Sequence, residues 1–573
     1  MVVARSPVTV ASAPTRFNRA DWASAFRNVE QELSQVPVRV ASGAVPVELE
    51  GCLYRNGPGR LERGGQSVHH PFDGDGMITA VQFAAGEARC SNRFVRTEGW
   101  EAEEQAGRFL YRGVFGTQKP GGAMANAFDL RLKNIANTHV VQLGDQLLAL
   151  WEAAEPHALD PVSLETRGLS RLDGVLSKGE AFSAHPRFDP GHHGSPRMVT
   201  FGVKTGPRST IRLMEFATED DAAAGVRAGD LLHDRRDSFN GFAFLHDFAI
   251  TPNWAVFLQN AVAFNPLPFV MGQKGAAQCL ASKPGGQAMF WLVPRDSGAH
   301  AGEEPRLVPA PEGFVFHHVN AWEENGALVI DSIHYSDFPS IGPDVDFRAV
   351  DFDSIPEGLL KRCSIDLASG QCSTELLGER CCEFAMVNPA QQGLQARYAW
   401  MAVAEREQGN DPLQAIQKRD AQTGATRVWS AAPRGFVSEP IMVARPDATA
   451  EDDGWVLVPV WNGAREATDL VILRADDLSE QAVLERGTAG VVLRTSWGYA
   501  PSGRNFVLTM LRLMRDRGEV KVVSDQIGAP TPARLIALVT QQALTKLHGT
   551  QLQTATASGI ESVAVTTGMT RYS

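Results

Sequence analysis

Phe316-His317-His318-Val319-Asn320-Ala321-Trp322-Glu323 is the run on which the fold turns, because it sets a histidine pair inside an apolar, aromatic, strand-like string. Two shorter strings precede it, Ala184-His185-Pro186 and His246-Asp247-Phe248, spaced so that the leading histidines lie 61 and then 71 residues apart. The chain between them is a succession of short strand-like runs separated by turn residues. Such spacing delivers one imidazole per supersecondary unit. A radial β fold assembles a non-haem metal centre in this way, each unit sending one ligand to a common axis. Neutral imidazole suits iron, zinc and copper alike, so the spacing leaves the metal open. Taken singly, each string also fits an unrelated histidine at a strand end.

Glycine at 53 and proline at 33 of 573 residues punctuate many short strands, as in sandwiches, barrels or propellers. Gly454–Val460 and Asp469–Arg474 alternate in the manner of strands. No tight repeat of the WD kind occurs, so periodicity does not single out a propeller. An apolar content of 43% is ample for a large core. The net charge of −12 argues against nucleic acid and against attraction to anionic headgroups. The cysteines (Cys52, Cys90, Cys279, Cys363, Cys372, Cys381 and Cys382) are odd in number and hold no CxxC pair, so they read as reduced thiols of an intracellular protein. No run approaches the roughly 18 consecutive apolar residues of a transmembrane helix.

Residues 1–20 hold no acid and read as a disordered amino terminus, although Arg5, Arg16 and Arg19 among Ala, Ser and Val also suit a transit peptide. A helix capped by Asp21 is expected next, with Trp22, Phe26, Val29 and Leu33 on one apolar stripe. Residues 400–425 read as a solvated loop or hairpin. Residues 550–573, rich in Thr, Ser and Ala, read as a loose tail.

Five further strings occur in order around the histidines: Arg55-Asn56-Gly57-Pro58-Gly59, Phe72-Asp73-Gly74-Asp75-Gly76-Met77-Ile78, Ala136-Asn137-Thr138, Leu148-Ala149-Leu150-Trp151-Glu152 and Ser438-Glu439-Pro440. With these the chain resembles the carotenoid cleavage oxygenase family, most of all its bacterial and cyanobacterial apocarotenoid-cleaving members, from about Trp22 to about Leu478. The resemblance implies an all-β, seven-bladed β-propeller with loops and helices capping the metal face, in one catalytic domain over residues 21–549. It also implies Fe(2+) held by four histidines, of which His185, His246 and His317 match three. His317 is the first histidine after Phe, as in the family, and His318 then points to the opposite strand face.

The fourth ligand implied is His548 in Leu547-His548-Gly549-Thr550, the single histidine after His334. The family follows this His-Gly string with an aromatic, whereas here Gln551 stands close by. The approach from Glu439 is also longer than the family's, so 481–530 reads as an insertion, with Pro532-Ala533-Arg534-Leu535 resembling the strand that leads to the ligand. A helix from Arg534 to Leu547, ended by Gly549 as a left-handed cap, is the competing reading. No HExxH occurs, which removes the commonest zinc-hydrolase reading.

The family holds its histidines with glutamates, and the strings match Glu152 to His246, Glu383 to His317 and Glu439 to His548; such carboxylates fix imidazole tautomer and orientation. The reaction implied is O₂-dependent cleavage of one conjugated C=C bond of a carotenoid or apocarotenoid into two carbonyl products. Its partners would be an apolar polyene and O₂, with peripheral membrane contact and no nucleic acid. Trp151 and Phe316 are expected to border the substrate cavity. Phe264–Met271 is either a lipid-facing segment or a packed cap loop. Stilbene-cleaving relatives carry Lys where Trp151 stands, which favours a polyene; a degenerate propeller that binds carotenoid without turnover is a further alternative. The expected location is the cytoplasm, peripheral to a membrane, or a plastid in a eukaryotic source.

Overall fold

Residues 314–335 show how this chain makes its sheets. Phe314–Glu324 and Ala327–Tyr335 pair antiparallel, joined by the two-residue turn Asn325-Gly326, whose φ values of 49° and 80° are both positive. A turn of that type matches the right-handed twist of the flanking strands, and Asn-Gly is its preferred sequence. Leu359–Asp366 and Cys372–Leu376 complete a four-stranded antiparallel sheet.

The computed structural model describes residues 17–283, 285–342 and 345–486, together with 498–499 and 531–532. Four more sheets of the same design occur among them, each meandering outward from a first strand. Those first strands are His139–Leu143, Arg187–Asp189, Ala249–Ile250 and Cys382–Val387. Gly51–Arg60, Asp75–Ala84, Glu87–Phe94, Leu33–Gly43, Glu480–Arg486, Ala467–Arg474, Gly454–Asn462 and Gly435–Val437 follow one another across a nine-stranded sheet, with Ile441–Ala444 also paired to Gly454–Asn462. First strands of successive sheets touch side by side, which makes the arrangement all-β and propeller-like. The apolar core lies between neighbouring sheets, as in the layer that joins Trp254, Val256, Phe290 and Leu292 to Ala321, Leu328 and Ile330. Trp254, Trp400 and Trp455 are each fully buried in such layers. With the apolar surface spent there, the axis is left to polar side chains.

Several local expectations are corrected. Phe17 is buried against the rings of Phe352 and Phe436, so order begins within the stretch expected to be disordered. The first helix is only Arg19–Ala23, and its cap is Asn18, whose Oδ1 accepts from the N–H of Ala20 and of Asp21. Asp21 turns its carboxylate to Arg434 at 2.6 Å instead. Val29 N–H donates to Gly59 O, and Leu33 begins a strand, because sheet pairing outcompetes an isolated short helix. Residues 400–425 take the hairpin alternative, with Tyr398–Ala404 paired antiparallel to Leu413–Asp420, but the strands are not solvated: Gln414 and Lys418 are buried, and exposure is confined to the turns that follow each strand.

Residues 481–486, expected to open an insertion, are instead a strand that pairs with Ala467–Arg474 and with Leu33–Gly43. Residues 487–573 form a separate unit, of which Gly498–Tyr499 and Thr531–Pro532 are described as a parallel pair. His548, the helix or strand expected before it, and the tail 550–573 lie outside the described residues. No helix among the described residues is long and apolar enough to cross a membrane.

Candidate metal centre

Three imidazoles meet where the first strands begin. His185 precedes Arg187–Asp189 by two residues, His246 precedes Ala249–Ile250 by three, and His317 lies within Phe314–Glu324. One ring nitrogen from each falls within 4.8 Å of the others. His185 Nε2 and His246 Nε2 are 3.0 Å apart. That separation would let one ion be held by both nitrogens.

The other ring nitrogens explain why the Nε2 atoms converge. His246 Nδ1 lies 2.5 Å from Glu152 Oε2, and His317 Nδ1 lies 2.7 Å from Glu383 Oε2. A carboxylate on Nδ1 keeps the proton there and leaves Nε2 as a lone pair for a metal. Burial, together with the neighbouring His246 and His317, holds His185 well below the ordinary imidazole pKa, so it stays a neutral donor. Burial alone would lower His317 too, but the Glu383 carboxylate overrides it and pushes His317 up to about 9. A cation on Nε2 would take the place of the second proton that this carboxylate favours.

Glu383 is turned inward by a bulge. Phe384 has φ 55°, in the left-handed region, and the strand register shifts between Glu383 and Met386. A non-glycine residue held there costs of order 1–3 kcal/mol, which the packed surroundings must offset. Phe384 N–H in return donates to Glu383 Oε2 at 2.9 Å. His318, on the other side of its strand, has Nδ1 2.6 Å from Ser332 Oγ and takes no part in the cluster.

Behind the triad lies a strut that sequence reasoning passed over. Arg187 Nη2 donates to Asp247 Oδ2 at 2.6 Å and to His318 O at 2.8 Å, while its Nε donates to Phe248 O at 2.7 Å. Asp247 Oδ2 also accepts His318 N–H at 2.8 Å. One guanidinium therefore ties together the chain segments that carry all three histidines. No local pattern marks it: Asp247 adjoins His246, but Arg187 simply follows Pro186 at the start of Arg187–Asp189.

The third carboxylate behaves differently. Glu439 Oε2 is 3.5 Å from Arg55 Nη1, which also donates to Glu439 O at 2.9 Å, and Arg55 Nη2 donates to Ser438 Oγ at 2.9 Å. The histidine expected to meet it, His548, is not among the described residues. Phe316 stands over the triad, its ring 5.5 Å from that of His246 and edge-on to it, with Phe314, Phe338 and Tyr335 beyond. Trp151 is buried and lines, with Asp73, Phe109, Tyr111 and Ile135, a cavity of about 10 Å³.

Comparison with known proteins agrees with this architecture. Residues 26–489 match the family described as retinal pigment epithelial membrane protein. Residues 474–561, which include His548 and the expected insertion, match the RmlD substrate binding domain. The chain is 45% identical over 482 residues to apocarotenoid-15,15'-oxygenase of Synechocystis, covering 83% of this chain and 95% of that one. Resveratrol cleavage oxygenase 1 of Aspergillus fumigatus is 29% identical over 493 residues, covering 79% of this chain and 89% of that one. The crystal structure of cobalt-substituted Synechocystis apocarotenoid oxygenase superposes with a TM-score of 0.78 at 45% identity, covering 82% of this chain and 96% of that chain.

Proposed function

The chain belongs to the retinal pigment epithelial membrane protein family, which includes the carotenoid-cleaving oxygenases, and on that premise we propose that it is an Fe(2+)-dependent oxygenase cleaving a conjugated C=C bond of an apocarotenoid. The observation that carries the proposal is the convergence of one ring nitrogen from each of three histidines, two of them 3.0 Å apart, on one point. Iron bound there would supply O₂ activation. His185, His246 and His317 would hold the ion, while Glu152 and Glu383 keep the Nδ1 protons of their histidines and so fix ring orientation. Carboxylates placed one shell out leave the ligand set neutral, unlike a two-His-one-carboxylate triad.

Phe316, with the aromatic rings beyond it, offers an apolar wall against which a polyene can be positioned, at roughly 25 cal/mol per Å² buried. The sequence assigns the fourth position to His548 and its carboxylate to Glu439. Because the segment holding His548 matches a different family, the centre proposed here stands on the three histidines. Elemental analysis separates the two: iron lost from His548→Ala makes it a ligand, and full iron removes it.

Two finer readings accompany this one. The nine-stranded sheet divides at Leu33–Gly43, whose first half pairs with Glu87–Phe94 and whose second half pairs with Glu480–Arg486. Counting it as two blades sharing that strand makes the propeller seven-bladed. Met124, Phe128 and Leu130 are 94%, 74% and 56% exposed, and Leu267 is 63% exposed on the short helix Pro266–Val270. Phe128 N–H donates to Val270 O, which sets the two segments side by side. We assign them to peripheral contact with lipid, the reservoir of an apolar substrate, for a protein otherwise of the cytoplasm. Co-sedimentation with neutral phosphatidylcholine vesicles should fall in Leu267→Glu and Phe128→Glu; unchanged binding would dismiss the surface.

Substrate class is decided by comparing kcat/KM for an apocarotenal and for resveratrol on one iron-loaded preparation. Faster cleavage of resveratrol would overturn the polyene assignment. Full-length protein that binds carotenoid but neither iron nor O₂ would leave the non-catalytic binder.

A further inference from the structure

We propose that Tyr335 is a positioning residue of the metal centre, acting on His317 through Glu383. Its phenol O–H donates to Glu383 Oε1. The other carboxylate oxygen, Oε2, is already taken by His317 Nδ1 at 2.7 Å and by Phe384 N–H at 2.9 Å. The three donors fill both oxygens and leave the carboxylate one orientation, so the imidazole it holds has one orientation too. Among the described residues Glu152 has His246 as its hydrogen-bond partner, and its side chain is 30% exposed against 13% for Glu383.

The placement follows from the sheet. Tyr335 ends the strand Ala327–Tyr335 and sits opposite Phe314, three residues before His317, while Cys382–Val387 brings Glu383 alongside. The same ring lies 6.1 Å from Phe316, so Tyr335 belongs at once to the aromatic wall and to the hydrogen-bond chain. Removing its hydroxyl would leave Glu383 Oε1 without its donor in a site that admits little water, and the carboxylate would be free to turn.

The inference rests on the proposed metal centre, and the test keeps the two apart. The full chain is loaded with Co(II), and metal release to a chelator is followed together with the visible ligand-field spectrum. Wild type that takes up no metal would refute the centre itself. If wild type holds Co(II), Tyr335→Phe should release it about 10-fold faster and show an altered spectrum, while its metal-free form keeps the wild-type circular dichroism spectrum. A double-mutant cycle with Glu383→Gln then decides the route: Tyr335→Phe should add no further effect in the Glu383→Gln background. Wild-type release and spectrum in Tyr335→Phe, or fully additive effects in the cycle, would overturn the proposal. Should Tyr335→Phe not accumulate folded, 3-fluorotyrosine placed at 335, which keeps the ring and hydroxyl and alters only the donor's strength, carries the same comparison.

Discussion

His317 and His246 are held by the same kind of bond to very different degrees. Glu383 is nearly buried, is turned in by a left-handed residue and has both oxygens occupied, whereas Glu152 is partly exposed and, among the described residues, hydrogen-bonds to His246 alone. Both arms nevertheless share Arg187 and Asp247 behind them. One side of the centre is therefore rigidly built and the other is yielding, on a common support. That asymmetry suits a site that must hold a metal while admitting a bulky apolar substrate.

The comparison breaks most completely at the shared support. Arg187→Met leaves Asp247 charged and buried without its cation, and losing one member of such a pair costs about 3–5 kcal/mol. Denaturant unfolding should report that loss, and metal should be lost from the whole centre; an unchanged midpoint would show that the strut is dispensable. Replacing His185, His246 or His317 with Ala should abolish stoichiometric metal with little change in the melting of the metal-free protein, checked by elemental analysis and calorimetry.

The asymmetry itself is sharpened by Glu→Gln changes. Outer carboxylates of this kind are worth about 10- to 100-fold in metal affinity. Glu383→Gln should fall near the upper end and Glu152→Gln near the lower, read by competition with a chelator. Equal effects would mean that the extra donors on Glu383 contribute nothing.

Acid should distinguish the two sides by stability. Burial holds His334, in the strand that ends at Tyr335, at about 3, and it holds His157, in the sheet that carries Glu152, at about 4. Both folded values lie below the unfolded value of about 6.5, so the stability they contribute is present above about pH 6.5 and is lost as pH falls toward 3–4. Thermal midpoints between pH 7 and 4 should decline, less steeply in His334→Asn and by a smaller margin in His157→Asn. A parallel decline in all three proteins would assign acid sensitivity elsewhere. The smallest expected change is in His318→Ala, which should keep full metal stoichiometry because its Nδ1 engages Ser332 on the far strand face.

Much of the centre was legible in the sequence, although its signals are short and local. Each histidine or glutamate string alone also fits a strand-end histidine or a rim glutamate, and it was the resemblance of all the strings in order that implied their roles; in the structure Glu152 lies beside His246 and Glu383 beside His317. Tyr335 and Arg187 were not legible, since a lone tyrosine at a strand end and an arginine after a proline carry no pattern. The long amino-terminal helix failed for a related reason. Trp22 and Phe26 do share a face, but Leu33 is claimed by pairing with Asn92 across a sheet, a partner that helical periodicity cannot see.

By itself the sequence pointed to many short strands, because strand alternation and turn chemistry act over a few residues, while its ordered strings pointed to the propeller, the three histidines and their carboxylates only through the family they resemble. Tertiary structure alone decided which strands close the nine-stranded sheet, that 481–486 belongs to it, that Glu439 meets Arg55, and that one arm of the centre is tied at both carboxylate oxygens. Those outcomes depend on contacts between residues 48 to more than 400 positions apart, such as Tyr335 with Glu383 and Arg39 with Glu485. Packing of whole sheets chooses such partners, and no local pattern specifies them.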